Sequence, residues 1–134
     1  MPDHYHLLVK ILDKKSFIKY INNLEASFTR YFNIKFKRKG PLWQSAFKSV
    51  HVKNNEQLLH LSRYIHLNPT TAGLTDSPEK WVFSSYWQYI NDDGLLKNIL
   101  TEISISDKNI YKIFVENRVD YQKKLSLIKK LVFD

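Results

Sequence analysis

Two short stretches of this 134-residue chain carry residue types and spacings that suit a reaction centre. The chain opens MPDHYHLLV, with His4 and His6 one residue apart. On a strand such residues lie about 6.6 Å apart on one face, so two imidazoles can converge on one metal ion. Two polar side chains on a wetted strand face give the same pattern, and spacing alone does not choose between them. Further along, RYIHLNP places Tyr64 and Asn68 four apart, on one side of a helix end, with His60 one turn earlier. A phenol beside a metal is a candidate nucleophile. A divalent cation polarises a phosphate and stabilises the charge that develops as a P–O bond breaks. Taken singly, Tyr64 reads as a core aromatic with a surface hydroxyl, and Asn68 as a C-cap. His66 is near Tyr64 in sequence but leaves the helix in another direction and is not assigned as a ligand. His60 is the weaker candidate for a phosphate contact.

Positioning these side chains requires elements. Residues 4–12, HYHLLVKIL, alternate and then run apolar, which predicts a half-buried strand. His4, His6, Leu8 and Lys10 would share one face, and Tyr5, Leu7, Val9 and Ile11 the other. Residues 16–33 carry apolar side chains at helical spacing, with Ser16 as N-cap. The loop IKFKRKGP at 34–41 is basic; Lys35, Lys37, Arg38 and Lys39 can track phosphates. Residues 42–53 read as a second strand, rich in aromatic and β-branched residues, with Trp43 and Phe47 on one face as core rather than base-stacking residues. Asn54 and Asn55 cap a helix over 56–67, which Pro69 should end, because the residue before proline avoids the helical region. The cluster WVFSSYWQY at 81–89 would cover the core. Past a turn at 91–94, one or two amphipathic helices follow, the last over about 108–131. The expected class is α+β, with two strands forming only a marginal sheet.

Composition narrows the function classes. Hydrophobic residues make up 43% and aromatics 14%, enough for a folded core. The net charge is +8, which suggests a polyanionic partner. Residues 1–89 carry 13 Lys+Arg against 6 Asp+Glu, whereas residues 90–134 carry 8 against 7, so a basic surface belongs to the first two thirds. The absence of cysteine excludes disulfides, iron–sulfur clusters and thiolate zinc sites. No apolar run approaches the ~20 residues that span a bilayer. With no signal-peptide pattern, the expected location is cytoplasmic, with no membrane partner.

Four stretches, in order and covering about residues 1–90, carry a resemblance: MPDHYHLLV, LEASFTRYFNIKFKRKGPLWQSAFKS, RYIHLNPTTAGL and WVFSSYWQY. The chain resembles the single-tyrosine HUH transposases, especially the REP-associated tyrosine transposases and their insertion-sequence relatives. The resemblance implies that His4 and His6 are the HUH pair, holding Mg2+ or Mn2+ with Asn68 as third ligand. It implies that Tyr64 attacks a DNA phosphate, leaving a 5′-phosphotyrosine and a free 3′-OH, and that religation reverses the step. Single-stranded or hairpin DNA at an element's end would be the substrate, Lys35, Lys37, Arg38, Lys39 and Arg63 its contacts, and a homodimer the working form in the bacterial nucleoid. The implied fold is a truncated ferredoxin-like antiparallel sheet packed with helices over residues 1–90, plus a helical extension over 91–134. The family's first strand and helix have no counterpart before His4, which predicts exposed apolar edges and association with a second copy. Thr70 and Thr71 stand where many relatives carry Val-Arg, which would weaken one phosphate contact. A second reading is a DNA-binding remnant without catalysis; a third is a metal-binding or structural module that binds no nucleic acid.

Overall fold

The computed structural model describes residues 1–44, 47–91, 102–105 and 107–121. Helices α1 (Lys14–Lys35), α2 (Asn55–Thr71), α3 (Tyr86–Ile90) and α4 (Lys108–Glu116) follow in order, with a 3-10 turn at Pro78–Lys80 before α3. Packing divides the chain into two compact units: Met1–Leu8 with Val52–Asp134, and Val9–His51.

The expected α+β class, with its truncated ferredoxin-like sheet, is overturned: no strand occurs among the described residues. Residues 4–12, and the described part of 42–53, run without regular structure. Alternating hydropathy specifies a wet face and a dry face, but a strand also needs a neighbour to hydrogen-bond with, and the pattern does not supply one. Leu7, Val9 and Ile11, the apolar face of that expected strand, stay about half exposed.

In the unit Val9–His51, α1 begins two residues before the expected start. Asp13, rather than Ser16, is the N-cap, and its carboxylate accepts from the Ser16 backbone N–H at 2.7 Å. The helix buries Ile21 and leaves Leu24, Phe28, Tyr31 and Ile34 exposed. Trp43 and Phe47 pack back onto it: the Trp43 indole N–H donates to the Glu25 carbonyl and its ring lies 5.9 Å from Phe28, while Phe47 meets Phe17 edge-on. Asn22, Thr29, Arg30, Asn33 and Trp43 line an open groove of about 610 Å³.

The other unit holds the core. Leu67, Tyr86, Tyr89, Ile103, Ile105, Tyr111 and Val115 are buried together, joined by Leu58, Leu59 and Phe114. Helix α2 starts as the sequence predicts, with the Asn54 side chain accepting from the Gln57 N–H. It does not stop before Pro69. The helix runs on to Thr71 and closes with Leu74 N–H to the Pro69 carbonyl and Gly73 N–H to the Thr70 carbonyl. Gly73 takes φ +74°, the left-handed turn that this Schellman closure requires. Burial of Leu67, Pro69 and Thr70 and these closing bonds outweigh the local preference against a helical residue before proline.

Candidate active site

Helix α2 presents two stripes of polar side chains. Residues two apart are turned by about 200°, so the stripe of His60, Tyr64 and Asn68 lies opposite that of Ser62, His66 and Thr70. The structure buries the second stripe; Ser62, His66 and Thr70 are each almost fully inaccessible. On the first, Tyr64 is 47% exposed and Asn68 partly buried.

The buried stripe anchors the helix. Ser62 Oγ donates to the Leu59 carbonyl at 2.8 Å, so it must accept from the Tyr111 hydroxyl, 3.1 Å away. With its one hydrogen committed, Tyr111 Oη accepts from His66 Nδ1–H at 2.7 Å. His66 Nε2 then accepts from the Ser85 hydroxyl at 3.0 Å. The relay fixes one tautomer and satisfies both ring nitrogens. Burial lowers the His66 pKa to about 4, holding the ring neutral, and pushes the Tyr111 hydroxyl well above its ordinary value. Tyr111 belongs to α4, so the helix bearing Tyr64 is fixed in place partly from beyond residue 100. Thr70 is buried with its hydroxyl unpartnered among the described residues, so it is not presented to a phosphate.

Around the exposed stripe, the His6 ring packs edge-on to Tyr64 with centroids 6.0 Å apart, and His4 and His6 meet edge-on at 4.9 Å. All three residues belong to one compact unit. Burial, and then the neighbouring His4, lower the His6 pKa, which favours the neutral, ligand-competent ring. Asp3 Oδ1 lies 2.7 Å from His4 Nδ1, a contact that holds the Asp3 carboxyl below its usual range.

Whether this donor set suits a divalent metal can be judged from the rings. An imidazole nitrogen bound at about 2.1 Å puts its ring centroid about 3.3 Å from the ion, so two rings in adjacent coordination positions have centroids about 5 Å apart. The His4–His6 separation of 4.9 Å matches that spacing. Asn68, one turn past Tyr64, offers an amide oxygen on the same stripe. Among the described residues no group of three or more His, Cys, Asp or Glu side chains is gathered for a metal.

Other predicted contacts fall elsewhere. Arg63 stacks its guanidinium 4.2 Å from the Phe114 ring centroid and bonds His60 Nδ1 at 2.8 Å. That ties both Arg63 and His60 to the packing of α2. In the basic loop, Arg38 bonds the Asn33 side chain and the Pro41 carbonyl, while Lys35 is the last residue of α1 rather than a loop residue and bonds the Tyr31 hydroxyl. Lys37 and Lys39 are exposed. Lys123, Lys124, Lys129 and Lys130 lie outside the described residues.

Comparison with known proteins identifies the group. The family described as "Transposase IS200 like" matches residues 1–68, which span the His4–His6 pair, the basic loop and Tyr64, and end at Asn68. The chain belongs to this IS200-like transposase family. A Haemophilus influenzae protein described as a REP-associated tyrosine transposase is 26% identical over 96 residues, covering 64% of this chain and 54% of that protein. The IS200-like chain thus spans about half the length of the curated relative that it matches. No solved structure matches it. No described helix is long and apolar enough to cross a membrane.

Sequence reasoning missed the anchoring role of His66 and Tyr111. The Ser62–His66–Thr70 spacing was a signal, but it equals that of the opposite stripe.

Proposed function

We propose that this chain cleaves and rejoins single-stranded or hairpin DNA through Tyr64, as one step of DNA transposition. The observation that carries the reading is the placement, within one compact unit, of the His4–His6 pair against the exposed ring of Tyr64. The Tyr64 phenol loses its proton and its oxygen attacks a backbone phosphorus. The bond to the 3′ oxygen breaks, that oxygen takes up a proton, and the 5′ side stays on Tyr64 as a phosphotyrosine. Return attack by a 3′-OH restores the phosphodiester, so no hydrolytic water takes part. His4, His6 and Asn68 would hold Mg2+ or Mn2+, which when bound supplies polarisation of the scissile phosphate. A set of two imidazoles and an amide binds such hard ions weakly and leaves positions open for phosphate oxygens.

Lys35, Lys37, Arg38 and Lys39 serve DNA binding in this reading; the basic surplus of the first two thirds of the chain supports that assignment. Pairing with a second copy belongs to the same reading, supported by the apolar side chains that residues 7–12 and α1 expose. The test is incubation with labelled hairpin DNA and Mn2+, read on a denaturing gel. A covalent adduct is expected, lost with chelator and in Tyr64→Phe. Salt-sensitive binding without an adduct in wild type contradicts the catalytic reading and leaves a DNA-binding remnant.

A further inference from the structure

One contact at the His pair goes beyond ligands and nucleophile. Asp3 Oδ1 lies 2.7 Å from His4 Nδ1. An ionised carboxylate only accepts, so the imidazole donates its Nδ1–H there. A neutral imidazole has one N–H, and with that proton on Nδ1 the lone pair sits on Nε2. Nε2 is therefore the atom that His4 can offer to a cation, with the His6 ring edge-on at 4.9 Å. The carboxylate also holds the ring that it bonds in one orientation, and orienting groups of this kind are typically worth 10–100-fold in metal affinity. The Asp3 side chain is 83% exposed, so its removal costs little packing.

We propose that Asp3 is a positioning residue: its hydrogen bond fixes His4 as the Nδ1–H tautomer and aims Nε2 at the cation shared with His6. The proposal rests on the metal reading given above. It is tested on the full chain with two measurements. Imidazole 15N spectra recorded without metal, above the histidine titration range, report the tautomer. Titration with Mn2+, followed by the electron paramagnetic resonance of the free ion, reports affinity.

Wild type should show His4 as Nδ1–H, and Asp3→Ala a mixture of tautomers with Mn2+ affinity about tenfold weaker. Asp3→Asn keeps an oxygen acceptor and should retain the tautomer with an intermediate affinity. All three proteins should melt together, since a merely structural effect would move the melting temperature instead. Wild-type uptake of Mn2+ that is abolished by His4→Ala but unchanged in Asp3→Ala overturns the role of Asp3 alone. Wild-type protein that takes up no Mn2+ overturns the metal reading and the positioning role with it.

Discussion

Residues 9–51 carry ten Lys and Arg against two Asp and Glu, whereas the rest of the chain carries eleven of each. The whole net charge of +8 therefore resides in the unit built on α1. Burial is distributed the other way. Of the described residues, α1 contributes Ile21 to the buried set, while the unit containing α2, α3 and α4 encloses a core of seven residues and a saturated hydrogen-bond relay. Electrostatic attachment to a polyanion and precise placement of a nucleophile make opposite demands. The first wants exposed, solvated cations, and the second wants side chains held by packing and bonded neighbours. On the proposed reading, the IS200-like chain keeps these demands on separate compact units.

The largest effect should come from the charged unit. Neutralising Lys35, Lys37, Arg38 and Lys39 together to Gln should flatten the dependence of log K on log salt by about 3, and weaken DNA binding near 0.1 M salt by roughly two to three orders of magnitude. Titration of labelled DNA at several salt concentrations checks this. If binding there is unchanged, the division of labour is wrong. Melting curves should move little, because all four side chains are exposed at the end of α1 and just beyond it.

Core truncation should do the reverse. Leu67→Ala, at a fully buried position, should cost about 2–5 kcal/mol. Ile34→Ala, at a site 73% exposed on α1, should stay within about 0.5 kcal/mol. Equal costs in urea denaturation would mean that α1 is buried in solution by something beyond its own unit.

Acid should weaken the core-bearing unit. His66 has its pKa lowered from 6.5 to about 4 by burial. Between those values the unfolded chain binds a proton that the folded chain refuses, so stability is full above about pH 6.5 and falls as pH drops toward 4, by about 3 kcal/mol from this group. Denaturation midpoints across that range measure the slope. A flat profile would contradict a neutral His66. The smallest loss within the core-bearing unit is expected from Tyr111→Phe, which removes the acceptor of His66 Nδ1–H and the donor to Ser62, and should cost about 1–3 kcal/mol by thermal denaturation.

Much of the helical part was legible in sequence. Asn54 announced the start of α2, and helical spacing gave α1 to within two residues at either end. The sheet was misread because HYHLLVKIL states which side chains prefer water but not which backbone will pair with it. Pro69 misled for a related reason: its local preference is overridden by burial contributed by residues far along the chain. At the site, His4, His6, Tyr64 and Asn68 stood out by type and spacing. The polar residues on the two sides of α2 have identical periodicity, so sequence could not tell which stripe is inside. Only the packing of Tyr86, Tyr89 and Tyr111 around His66 decides it.

The central claim is that the phenol beside the His pair becomes bonded to DNA. It is tested most directly by digesting the protein with trypsin after reaction with hairpin DNA and Mn2+, and weighing the peptide from Tyr64 to Lys80. The account predicts that this peptide carries nucleotide mass through a phosphate on Tyr64. The same mass on any other peptide, or an adduct that persists in Tyr64→Phe, would contradict it.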